Sequence, residues 1–232
     1  MNWQAGLFAA IGAAAPFGAA VTLRGSATDP ALLDGWSDLD LGIELPSDVE
    51  ITDLVGVQVW AVEDVRDHDG QTCRTVLTDG RRLDLSVTGP GRVVGFGLAA
   101  DNDVRFLAAT ATAKLGRGDR LIGLHLLLEL WQHCLVQAMQ LRDRDTGSTV
   151  HRRGSEHDQL ADRIGQLATM ALDLQDRPTV VERTVELYAA WRSELDADYR
   201  PDWQPLHRLT DLGLIDLGLT ERGLTERESS DR

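Results

Sequence analysis

Residues 38–45, Asp-Leu-Asp-Leu-Gly-Ile-Glu-Leu, alternate between polar and aliphatic positions with a period of two. That period belongs to a strand with one buried face: Leu39, Leu41 and Ile43 point one way, Asp38 and Asp40 the other. Arg82-Leu83-Asp84-Leu85-Ser86 repeats the alternation and sets Asp84 between apolar neighbours. Residues 18–24 read as a buried strand ending at Gly25-Ser26, and residues 57–63 as another strand. Thr72–Thr78 and Arg81–Val87 read as the arms of a hairpin, with Asp79-Gly80 supporting a type I′ turn. A short helix is predicted over 3–13. A second is predicted over 30–34, where Asp29 caps and Pro30 occupies the first turn.

The pattern changes after Gly89-Pro90-Gly91. Helical periodicity predicts helices over 102–115, 119–143, 155–173 and 178–196, the last with Pro178 at its start. Trp131, Trp191 and Trp203 fall at core positions. The expected fold class is α/β (α+β): a small mixed-sheet domain over 1–95, then an all-helical bundle over 96–215 that closes a cleft above it. Residues 216–232 form a charged tail built on a small duplication, Leu-Thr-Glu-Arg-Gly-Leu-Thr-Glu-Arg.

Residues 5–23 run without a charge. No lysine or arginine precedes them, so the run lacks the basic start of a signal peptide. It reads instead as helix, turn and strand, with no membrane role. Cys73 and Cys134 stand far apart without a Cys-x-x-Cys or Cys/His cluster, which argues against a disulfide scaffold or zinc site and suits a reducing cytoplasm. The net charge of −14 is spread along the chain. Such a surface repels a nucleic-acid polymer, and it either favours cationic small molecules or serves solubility alone.

Asp38 and Asp40 share a strand face, and Asp84 lies on a neighbouring strand. Three close carboxylates repel one another unless a cation joins them, and hard divalent ions favour carboxylate oxygens. Two such ions suit transfer of a nucleotidyl group, in which a hydroxyl attacks an α-phosphorus and pyrophosphate leaves. Gly25 lets the backbone approach phosphates, and the Ser26 hydroxyl and the N–H groups opening the next helix can donate to them.

Gly25-Ser26, eleven residues, Asp38-Leu39-Asp40, then Leu83-Asp84-Leu85 resembles the DNA polymerase beta-like nucleotidyltransferase superfamily. The resemblance covers residues 20–90. The helical second half looks more like the small-molecule branch, which includes the aminoglycoside and lincosamide nucleotidyltransferases. It implies that Asp38 and Asp40 hold two Mg²⁺ ions, that Asp84 holds one, and that Gly25 and Ser26 hold the triphosphate of ATP or another nucleoside triphosphate. The implied product is a nucleotidylated small-molecule hydroxyl acceptor, such as an aminoglycoside-like antibiotic, made by a monomer or homodimer. The alternatives are a protein-adenylylating enzyme of the antitoxin-like type and a catalytically inactive nucleotide-binding regulator.

The helix predicted over 119–143 is apolar nearly all round, and His125, Glu129 and His133 form one polar stripe at four-residue spacing. Similar drug-modifying enzymes often use a glutamate as general base, which makes Glu129 the candidate. An ion pair with Arg152 or Arg153 is its other reading. His125 reads as a hydrogen-bonded core histidine, and a His-Glu-His metal site is the lesser alternative. Lys114, Arg117 and Arg120 are candidate donors to a triphosphate tail, or solvated bases at helix ends. His151-Arg152-Arg153-Gly154 either contacts phosphate or locks the two halves together.

Overall fold

A computed structural model describes residues 3–68, 70–147, 156–172 and 177–216. The chain is mixed α/β and divides into two compact units. One comprises the residues up to Phe106 together with those from His207 onward, and the other is Leu107–Leu206. His151-Arg152-Arg153-Gly154 and the charged tail lie outside the described residues. Among the described residues, no helix is long and apolar enough to cross a membrane.

The first unit is built on a five-stranded sheet. In chain order its strands are β1 (Ala20–Leu23), β2 (Leu39–Glu44), β4 (Val59–Arg66), β5 (Gln71–Leu77) and β6 (Arg82–Thr88). In space they run β1-β2-β6-β5-β4. Only β2 and β6 pair in parallel, and the other neighbours are antiparallel. A short parallel pair, β3 (Val49–Glu50) with β7 (Val93–Val94), stands apart. Helices α1 (Trp3–Ala14) and α2 (Ile51–Val55) contribute Leu7, Ile11, Ile51 and Leu54 to the core.

The alternating strands face that core. Leu39, Leu41, Ile43, Leu83, Leu85 and Val87 are each no more than 1% exposed. Full burial of such a side chain contributes about 1.5–3 kcal/mol. The same period turns Asp40, Asp84 and Ser86 to the other face. β1 departs from the expected buried strand: three of its four residues are exposed, because it is a sheet edge paired only with β2.

The hairpin turn also differs from expectation. A type I′ turn needs positive φ at both central residues. Here only Gly80 has one, at 85°. The Gly80 N–H donates to Leu77 O and the Leu77 N–H donates to Arg81 O, both at 2.9 Å. This is a three-residue loop with Gly80 as a left-handed bulge. Asp79 accepts from the Arg81 N–H and guanidinium, so it has a partner without adopting positive φ.

On the far edge, the Asn102 amide imitates a neighbouring strand. Its Nδ2 donates to Val62 O at 2.8 Å, and its Oδ1 accepts from the Val62 N–H at 2.9 Å. The outer edge of β4 is thereby closed at that point. The helix expected over 30–34 is a three-residue 3₁₀ turn, Pro30–Leu32. Asp29 accepts from the Ala31 N–H beside it.

Asn102 opens α3 (Asn102–Gly116), which carries the chain into the second unit. There α4 (Arg120–Thr146) packs with α5 (Gln159–Leu172) and α6 (Arg177–Leu195). Asp119 caps α4, and Gly147 ends it in the left-handed conformation. A helix not read from the sequence, α7 (Gln204–Asp216), has Pro205 in its first turn and carries the chain back to the first unit. There Arg208 donates to Thr78 O at 2.8 Å.

Trp131, Trp191 and Trp203 are buried, as expected. The Trp131 indole N–H donates to Thr184 Oγ1 at 3.1 Å, and that hydroxyl donates to Val180 O at 2.7 Å. Thr184→Val preserves shape but leaves a buried indole N–H without an acceptor. Its expected cost is about 1–3 kcal/mol, seen as a lower melting temperature in calorimetry. Thr184→Ser keeps the hydroxyl and should recover most of the loss.

Candidate metal centre

Asp38 immediately precedes β2, Asp40 lies within it, and Asp84 lies on β6. Parallel pairing sets Asp40 directly beside Asp84 in register. The three carboxylates each offer one oxygen, and these oxygens lie within 4.8 Å of one another. Among the described residues this is the only group of three or more His, Cys, Asp or Glu side chains so placed.

Their environment resists three negative charges. Burial, followed by the charge of Asp38, pushes the Asp84 carboxyl up from 3.8 to about 7. Asp40 is also raised, by burial first and then by Asp38, against the lowering effect of hydrogen bonds from Ser26. Arg82 lies nearest to a built-in countercharge: its Nη2 is 3.2 Å from Asp38 Oδ2, and its Nη1 donates to Trp36 O at 3.3 Å. Register carries the charge pattern across four strands as Asp40, Asp84, Arg74 and Glu63. Arg74 stands 3.7 Å from Asp84 and 2.6 Å from Glu63.

The Gly25-Ser26 turn meets one of these carboxylates, Asp40. The Arg24 N–H donates to Asp40 O at 2.9 Å, which extends the β1–β2 pairing up to the turn. Ser26 Oγ donates to Asp40 Oδ2 at 3.4 Å. The expected helix after Ser26 is a four-residue 3₁₀ turn, Gly25–Thr28, in which Thr28 Oγ1 donates to Gly25 O at 2.8 Å. Gly25 has φ of +50°, and a Cβ there would stand 2.5 Å from Asp40 Oδ2. Gly25→Ala must therefore displace the Asp40 carboxylate. Its expected result is a Mn²⁺ affinity at least about tenfold weaker, measured by electron paramagnetic resonance, while Ser26→Ala changes it less.

The donor set suits a hard divalent cation. It consists of carboxylate oxygens alone, with two of the carboxyls raised by burial and mutual repulsion, a strain that a cation would relieve. Asp38, Asp40, Asp84, Gly25 and Ser26 are thus brought together in one unit.

Glu129 and Lys114 belong to the helical unit. Glu129 is half-exposed and pairs with His125 on its own helix at 3.1 Å. His125, read from the sequence as a core histidine, is 69% exposed. The expectation failed because α4 buries one side against its neighbours and leaves Leu121, Leu124 and Leu128 exposed on the other. Lys114, in the last turn of α3, stands 3.9 Å from Asp119.

Sequence reasoning passed over Arg82, Arg74 and Glu63. Arg82 carried a usable signal, because two residues upstream of Asp84 on a strand means the same face. Arg74 and Glu63 carried none until the strands were ordered. Comparison with known proteins finds no family model and no curated protein that matches this chain.

Proposed function

We propose that the chain is a metal-dependent nucleotidyltransferase of the DNA polymerase beta-like kind, acting on a small-molecule hydroxyl. The observation that carries this reading is the convergence of three carboxylate oxygens within 4.8 Å beside the Gly25-Ser26 turn. In this reading the sheet unit is the nucleotidyltransferase domain, and the helical unit is its second domain.

Asp38 and Asp40 would hold two Mg²⁺ ions between them, and Asp84 one of the pair. The ions would supply activation of the attacking hydroxyl and neutralisation of the leaving pyrophosphate. Gly25 keeps side-chain bulk away from the phosphates, and Ser26 offers its hydroxyl to them. The acceptor oxygen bonds to the α-phosphorus as the bond from that phosphorus to the bridging oxygen breaks. Pyrophosphate departs and the hydroxyl proton passes to a general base.

The test is pyrophosphate release from ATP, Mg²⁺ and a panel of hydroxylated amines, with Asp40→Asn as the control. Release that depends on acceptor and is lost in the control supports the reading. No release from any nucleoside triphosphate with any acceptor opposes it. Label transferred from ATP to a protein band in cell extract favours the protein-adenylylating alternative.

A further inference from the structure

Asp40 and Asp84, together with Gly25, Arg24 and Arg74, line a cavity of about 210 Å³ on one face of the sheet. We infer that it is an oxyanion subsite, in which Arg24 and Arg74 hold a phosphoryl or carboxylate group of a substrate. The inference rests on the proposed metal-dependent reading for what lies at its Asp40–Asp84 margin.

Register builds its floor. Gly42 on β2 lies beside Ser86 on β6, and Ser86 lies beside Thr72 on β5. The next row on this face, two residues along each strand, carries Asp40, Asp84 and Arg74. Ser86 and Thr72 bring two hydroxyl donors to the cavity, and Arg24 and Arg74 bring its two guanidinium groups.

Arg24 is the decisive residue. Its side chain lies across Gly42: a Cβ at Gly42 would come 2.6 Å from Arg24 Nε and 2.8 Å from Thr22 Oγ1. The absence of a side chain at position 42 therefore lets the guanidinium lie over β2, at the margin of the cavity. Among the described residues, no hydrogen-bond or ion-pair partner meets that guanidinium. An arginine presents five donors in a planar fork that matches the oxygens of a carboxylate or phosphate. Arg74 is already engaged by Glu63 and Asp84, and it supplies a second positive charge lining the cavity.

The carboxylates at the margin set a condition. Asp40 and Asp84 would repel an incoming anion, and divalent cations on them would remove that repulsion. Anion binding should therefore require the metal. The volume is below the roughly 300–1,000 Å³ of pockets that enclose a drug-sized ligand. It fits the anionic end of a substrate rather than a whole nucleotide. That end is either the polyphosphate tail of the nucleotide or an anionic group on the acceptor. The second case would give an acceptor of opposite charge to the cationic one expected from composition.

The experiment is isothermal titration of the full chain with inorganic tripolyphosphate and, separately, with glycerol 3-phosphate, each with and without Mg²⁺. Arg24→Gln should weaken the binding of whichever probe the protein takes up by about tenfold or more. Gly42→Ala should do the same by displacing Arg24, and Arg24→Lys should lose less. Loss confined to tripolyphosphate assigns the cavity to the nucleotide tail, and loss for glycerol 3-phosphate assigns it to an anionic acceptor. Mn²⁺ binding by Arg24→Gln, followed by electron paramagnetic resonance, should match that of the parent chain. Binding of neither probe by protein that does bind Mn²⁺ overturns the subsite and leaves the metal reading standing. Probe binding that is unchanged in Arg24→Gln and Gly42→Ala also overturns it. Absence of Mn²⁺ binding in the parent chain counts against the metal reading instead.

Discussion

Replacing Asp84 with asparagine is expected to abolish the proposed nucleotidyl transfer, by about a thousandfold or more, while leaving the fold intact. The amide matches the carboxylate in size and stays in register opposite Asp40, so the strand pairing is not disturbed. What changes is one anionic oxygen among the three that lie within 4.8 Å. An amide oxygen is a weaker partner for a hard divalent ion, and loss of metal-based charge stabilisation amounts to several kcal/mol of barrier. Mn²⁺ affinity should fall in parallel with pyrophosphate release, and circular dichroism should be unchanged. Pyrophosphate release retained at the parental level would remove Asp84 from the list of ligands.

The second large effect is on stability, and it runs in the opposite direction. The folded Asp84 carboxyl titrates near 7, whereas its ordinary value is 3.8. Between those values the folded chain holds a proton that the unfolded chain has released. Stability without metal therefore falls as pH rises from about 4 to about 7, and it levels off above that range. A shift of this size at a side chain 25% exposed corresponds to roughly 2–4 kcal/mol. Thermal unfolding in a chelator, scanned from about pH 5 to about pH 8, should show the fall. Mg²⁺ should raise the melting temperature most at the alkaline end, where it meets no competing proton. Asp84→Asn should flatten the pH profile. At about pH 8 without metal it should also be more stable than the parent chain, the trade expected of a residue kept for binding rather than folding. A parent profile that rises over this range would mean that Asp84 is not held as a strained acid.

These two expectations share a cause that is only partly visible in the primary structure. The alternation in 38–45 and 82–86 announced which side chains share a face, because a strand has a period of two whatever its neighbours are. Trp131, Trp191 and Trp203 were legible as core for a similar reason, since their size and spacing demand burial. The hairpin was legible from Asp79-Gly80, but its turn type was not. Asp79 kept negative φ and bonded Arg81 instead. β1 was misjudged as buried because an apolar composition does not reveal that a strand will lie at an edge. His125 was misjudged because a helix rich in leucine does not say how many of its faces will find neighbours.

What the primary structure determined by itself was local: the strands, most of the helices, and the acids and small residues capable of the chemistry. The parallel pairing of β2 with β6, the register that sets Asp40 beside Asp84, the approach of Arg82 to Asp38 and the lie of Arg24 over Gly42 were decided by tertiary structure. Each joins segments distant along the chain. Periodicity and composition act within a few residues, whereas pairing, burial and the electrostatic field at a carboxyl arise only when separate strands lie side by side.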